Sequence, residues 1–179
     1  MKSFKQLASR FNYFALIIIF AFGLFAIFGS GPRYVYRVSP SIQSATNNFF
    51  VAKISPICPK GCQAFSLQIE NKTDKDIEID WNKTLYISDG RTSGGFMFEG
   101  VVYRERNNPK TPDIVFTNSL FSKTIWPNNL VEFTSGRYSR WNHEDMPTGE
   151  NGVYLTVKVG NQEIKEKLTI YITKVKVQE

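Results

Sequence analysis

Histidine is nearly missing from this chain: His143 is the only one, and cysteine occurs just twice, at Cys58 and Cys62. A Ser-His-acid hydrolase needs an imidazole held between nucleophile and acid, so any such triad would have to be built on His143. That residue lies in the segment 140–145 (RWNHED), which reads as a loop, and no Gly-x-Ser-x-Gly elbow accompanies it. Phosphate-cradling loops, the dinucleotide fingerprint Gly-x-Gly-x-x-Gly and the zinc motif His-Glu-x-x-His are also absent. Pairs such as Glu78/Asp80 and Glu144/Asp145 carry no signal, because some pairs always arise among 16 acids. These absences argue against the familiar catalytic classes, and the sequence calls for no cofactor and no metal.

Charge of one sign is also in short supply. The formal net charge is +6, from 22 basic and 16 acidic residues. Setting aside Lys2, Lys5 and Arg10 leaves 19 basic residues against those 16 acids, a balance of +3. No run of five basic residues exists. This describes a mixed, solvated surface rather than a nucleic-acid footprint, so nucleic acid is not an expected partner. Helical periodicity of useful length is missing after residue 30 as well.

What the chain does have is a long uncharged run. Phe11 to Pro32 carries no charged side chain, and the sixteen residues Tyr13 to Phe28 are all apolar or glycine. A helix of about 20 residues spans the roughly 30 Å hydrocarbon core of a bilayer. The run is apolar all round, unlike a core helix with one polar face. Its basic start suits an uncleaved signal anchor or a removable signal peptide. Cleavage wants small residues at −3 and −1, and Phe28 and Pro32 spoil the available positions. The anchor is therefore the expectation, with a cleaved peptide as the alternative. Residues 1–10 would form a cytoplasmic tail and 11–32 a single membrane span. The remainder would lie on the outer side of a cell inner membrane, periplasmic or extracellular, as the basic N-terminal flank favours.

In such a compartment, Cys58 and Cys62 in C-P-K-G-C read as a disulfide, with Pro59 and Gly61 suited to the turn between them. Zinc would need three or four ligands, and a redox pair more usually has C-x-x-C spacing; both remain alternatives to a structural staple.

Residues 33–48 read as a linker, with one short candidate strand at 34–38, and 49–179 as one β domain. Period-two alternation marks Phe65–Glu70 and Ile77–Trp81, two runs joined by the polar stretch 71–75 and expected to be antiparallel neighbours. Short candidates follow at 85–88, 96–103, 114–117 and 130–134. In the last pair, Val153, Leu155, Val157 and Val159 face the core while Tyr154, Thr156 and Lys158 face away. Gly160-Asn161 makes a tight turn, and Leu168, Ile170 and Ile172 return. Short strands with regular turn signals indicate a mainly β fold, an antiparallel β-sandwich, with a small barrel as the alternative. Asn71-Lys-Thr73 and Asn82-Lys-Thr84 match the glycosylation acceptor pattern.

The stretch 65–81 (FSLQIENKTDKDIEIDW) resembles the paired early strands of single immunoglobulin-like domains in bacterial envelope proteins. The resemblance implies an immunoglobulin-like sandwich with Trp81 as its buried aromatic, although no Cys-Trp-Cys signature is present. Asp80 and Trp81 are the residues it draws attention to, either as functional positions or simply as a turn-facing acid and a core aromatic.

One further segment stands out. Residues 135–150 are polar and turn-rich yet carry Arg137, Tyr138, Arg140, Trp141 and Met146. Arginine and aromatic side chains on a sandwich loop are typical interface residues; the alternative is that Trp141 caps the sandwich end with Tyr138 beneath it. The expected function is a membrane-anchored extracytoplasmic interaction module that holds another envelope protein. A glycan- or small-molecule-binding domain is the alternative.

Overall fold

The computed structural model describes residues 33–135 and 140–177. Among these, fourteen strands run in chain order: β1 (Tyr34–Ser39), β2 (Gln43–Thr46), β3 (Phe50–Ile57), β4 (Ala64–Asn71), β5 (Ile77–Ile79), β6 (Leu85–Ser88), β7 (Arg91–Thr92), β8 (Phe96–Met97), β9 (Asp113–Val115), β10 (Leu120–Pro127), β11 (Val131–Thr134), β12 (Arg140–His143), β13 (Gly149–Val159) and β14 (Gln162–Lys176). No helix among the described residues is long and apolar enough to cross a membrane; the expected span 11–32 and the tail 1–10 lie outside them.

Two antiparallel sheets carry most of the strands. One has the order β1-β14-β13-β5-β9, with β6 also pairing with β13 and β7 with β6; the other is β2-β3-β4-β10-β8. The alternation in β13 buries Val153, Leu155 and Val157 completely, and Leu168, Ile170 and Ile172 of β14 join them. From the second sheet, Phe50, Ala52, Ile54, Phe65, Leu67, Ile69 and Ile125 enter the same core, so the two sheets form a sandwich-like mainly β fold. Phe65, Tyr86 and Phe96 meet there with ring centroids 6.2–6.5 Å apart. The Tyr86 hydroxyl donates to Asn151 Oδ1, and burial pushes its pKa up to about 12.

The β13–β14 hairpin turns on Gly160-Asn161, where Gly160 takes φ +57°. At Gly152 the β14 backbone comes so close that a Cβ would lie 2.1 Å from the Leu168 carbonyl oxygen, which excludes any side chain. Alternating burial stops after Ile172, yet β14 runs on to Lys176.

Four expectations change. Residues 33–48 are not a plain linker: they hold β1 and β2, and Tyr36, Val38 and Ala45 pack against the core. The prolines and glycines flanking these short strands conceal their alternation. The runs 65–70 and 77–81 are not neighbours, since β4 pairs with β3 and β10 whereas β5 pairs with β13 and β9. The chain crosses between sheets at Asn71, whose buried carboxamide donates to the carbonyls of Lys75, Val115 and Phe116. Thr156 is fully buried rather than exposed, because the 80–84 turn covers that face of β13: its Oγ1 donates to the Lys83 carbonyl at 3.0 Å. Finally, the 96–103 candidate is a strand only over Phe96–Met97, and a three-residue 3-10 turn forms at Tyr103–Glu105.

Trp81 is buried, as an inward phase requires. Its ring packs on Phe98 at 4.7 Å and its Nε1 donates to Asp113 Oδ2 at 2.9 Å. Asp80 faces the following turn, where Oδ1 accepts from the Asn82 amide and Oδ2 lies 3.2 Å from Lys158 Nζ. Both residues are thus placed by folding requirements.

Candidate functional site

The strands β11 and β12 pair only with each other, in a small two-stranded sheet of their own. Their register puts Val131 opposite His143 and Phe133 opposite Trp141, so by the period of two these four side chains share a face. Val131, at the inner end, is buried; Phe133 and Trp141 remain 43% and 41% exposed.

Phe133, Trp141 and Tyr103 form an aromatic trio. The ring centroids of Phe133 and Tyr103 each lie 5.1 Å from that of Trp141, tilted by 59°, within the range of favourable aromatic pairing. Tyr103 comes from the 3-10 turn in the 98–112 loop, where the Arg106 guanidinium stacks 3.9 Å over its ring.

Trp141 also borders two hollows. Val102, Tyr103, Glu105, Phe133 and Trp141 line a space of about 350 Å³. Met97, Val101, Trp126, Val131, Trp141 and His143 line another of about 320 Å³. In the second, the His143 ring stacks on Trp126 at 5.3 Å, and its buried Nδ1 has no hydrogen-bond partner among the described residues. Burial holds this imidazole below its ordinary value of 6.5, so the neutral form is favoured. His143 lies at the end of a strand, not in a loop. Among the described residues no group of three or more His, Cys, Asp or Glu is arranged to hold a metal ion.

Of the expected contact residues, Trp141 is 41% exposed and is not among the residues of the buried core. Arg140 occupies β12 opposite Thr134. Arg137 and Tyr138 lie outside the described residues. Met146 belongs to the core instead, fully buried, with its amide bonded to the Cys62 carbonyl. Tyr103, Phe133 and Trp126, all outside the 135–150 segment, complete this face. Phe133 is the one the sequence signals: an aromatic two residues beyond Val131, in a strand followed by a polar turn and Trp141, has the spacing of a hairpin pair.

Cys58 and Cys62 are joined as a disulfide that closes the turn between β3 and β4. Cys62 is fully buried and Cys58 exposed. Beside it, the Asp145 carboxylate accepts from the Tyr36 hydroxyl and from Gln63 Nε2, each at 3.1 Å, tying this turn to β1. Of the two glycosylation-like sequences, Asn71 is buried and fully engaged, so it offers no acceptor nitrogen, whereas Asn82 is exposed.

No family model, curated protein or solved structure matches this chain.

Proposed function

We propose that this protein is a membrane-anchored extracytoplasmic interaction module. An immunoglobulin-like sandwich, held at a bacterial inner membrane by the 11–32 span, grips another envelope protein through its aromatic hairpin. The observation that carries the reading is the trio Tyr103, Phe133 and Trp141, packed at 5.1–6.1 Å yet left outside the core. Rigid aromatic side chains beside hollows are what binding hot spots are made of, because a partner's apolar side chains bury there at little entropic cost. Trp141 lines two such hollows, so a partner can set a side chain against it in either one. The disulfide suits an oxidising compartment, and the uncharged run suits anchoring there.

Capture from solubilised membranes tests the interaction. Wild-type protein should bring down one stoichiometric protein partner. Trp141→Ala and Phe133→Ala should each lose it while melting at the wild-type temperature. Retention of the partner by both variants would refute the assignment of this face. A phosphatase fused after Glu179 should be active only if that end is exported; cytosolic reporter activity at the same position would refute the topology.

A further inference from the structure

The strand β1 lies along the last part of β14. Thr173 Oγ1 donates to the Arg37 carbonyl at 3.4 Å, and the Lys174 ammonium sits 4.7 Å from the centre of the Tyr34 ring and 5.8 Å from that of Tyr36. Large apolar side chains stay outside the core here. Tyr34 is 47% exposed and Val35 44%, and as consecutive strand residues they point to opposite sides of β1. The C-P-K-G-C turn joins this end of the sandwich, because Asp145 accepts from both Gln63 and the Tyr36 hydroxyl. Ile57, Pro59 and Lys60 are exposed there.

Charge is unevenly divided along the chain. Neither 33–69 nor 167–178 contains an acid, yet together they hold seven lysines and arginines. The chain beyond residue 10 has a balance of +3, so its other parts carry −4. Asp145, the acid that bonds to β1, is already occupied by Tyr36 and Gln63.

The tether is short. Tyr34 follows Phe28, the last apolar residue of the long run, by six residues, at most roughly 20 Å of extended chain. With 11–32 spanning the bilayer, the reading on which this inference rests, Tyr34 stays within reach of the headgroups. The lipid surface is then present at high effective concentration, so contacts too weak to recruit a free domain suffice for a tethered one.

We infer that this end of the sandwich docks on anionic phospholipid headgroups of the membrane that anchors the chain. Tyr34 and Val35 enter the interfacial layer, where amphipathic aromatic rings are favoured. Lys60 and Lys174 face lipid phosphates, to which an anionic surface draws them.

The test places the full chain in nanodiscs of phosphatidylcholine, with or without phosphatidylglycerol, that carry a trace of lipid with a gadolinium chelate at its headgroup. Broadening of an amide signal reports closeness to the headgroups. The tether alone holds Tyr34 near lipid in both discs, so Gly61, in the turn between β3 and β4, is the informative position. Its broadening should rise about fivefold when phosphatidylglycerol is present. Lys60→Ala and Lys174→Ala should each lose most of that rise, at about fivefold per charge removed, with unchanged melting. Gly160, at the opposite end of β14, should stay sharp in both discs. Equal broadening of Gly61 in the two lipids, or in wild type and both variants, would overturn the docking. Broadening that appears only with a captured protein partner would assign this end to that protein and overturn it too. Vesicles of the same lipids, washed with carbonate, separate the two readings. A chain that washes out refutes the anchor, and this inference with it; a chain that is retained without the lipid dependence refutes the docking alone.

Discussion

The side-chain Nδ2 of Asn71 donates to the backbone carbonyl of Val115 at 3.0 Å, and that bond runs from one sheet to the other, because Asn71 ends β4 and Val115 ends β9. The same nitrogen reaches the Lys75 and Phe116 carbonyls, and Oδ1 accepts from the Thr73 amide and hydroxyl. One carboxamide therefore organises the crossing.

Asn71→Ala should lower stability by about 2–3 kcal/mol, since it strands several partly or wholly buried carbonyls at once. Asn71→Asp should be comparably damaging: it keeps the acceptor towards Thr73 and loses the donor. Urea midpoints of the two variants check this. A midpoint for Asn71→Asp near that of wild type would mean the Thr73 contacts matter and the inter-sheet bonds do not.

Thr156 is the second place where a polar side chain holds elements together. Besides its bond to the Lys83 carbonyl, its amide donates to Thr84 Oγ1 at 3.2 Å and its carbonyl accepts from the Asp80 amide at 3.0 Å. Thr156→Ala should cost about 1–2 kcal/mol, from a lost buried hydrogen bond and the space left behind. Leu155→Ala, in the fully buried core, should cost about 2–5 kcal/mol. Thermal melts that place Leu155→Ala below Thr156→Ala, with both below wild type, fit this account; a wild-type melt for Thr156→Ala contradicts it.

These two residues also mark how far the sequence could be read. The strands at 65–70, 153–159 and 168–172 are legible because one face packs and the other is solvated, which writes a period of two into the chain. Which sheet a strand joins is not legible. The polar stretch after Asn71 can make a hairpin or an arch, and the outcome depends on β3 and β10 flanking β4. The strand β10 carries no readable alternation, since its outer residues Leu120 and Phe121 are exposed or half-buried. Thr156 is polar and becomes buried only because a distant turn folds over it. The candidate site was half legible: Trp141 was singled out from its segment, but Tyr103 reaches it from a loop 38 residues earlier.

Replacing both Cys58 and Cys62 by Ala should lower stability by no more than about 2 kcal/mol, because the bridge closes a short turn and removes little entropy from the unfolded chain. The variant should still fold, as the β3–β4 ladder continues along eight paired residues beyond the turn. Thiol labelling of the native wild-type protein should find no free cysteine. Two reactive thiols would remove the staple from the account.

His143 should give the domain a pH-sensitive edge. Burial holds its folded-state value below the ordinary 6.5. The unfolded chain therefore takes up the proton first as pH falls, and the folded state only later. The stability linked to this residue is fully present above about pH 6.5, declines as pH drops through the folded value, and is level below it. Glu150 and Glu163 are also held below their ordinary 4.5, by the Lys167 contact and by Lys83 and Lys165 respectively. Their share is lost only in more acidic solution, below about pH 4.5. Decline between pH 6.5 and 4.5 is thus the histidine's signature. His143→Phe keeps a ring to stack on Trp126 and cannot take up a proton, so its denaturation midpoint should stay flat across that window and fall only below it. If His143→Phe declines as steeply as wild type between pH 6.5 and 4.5, the imidazole is not the group responsible.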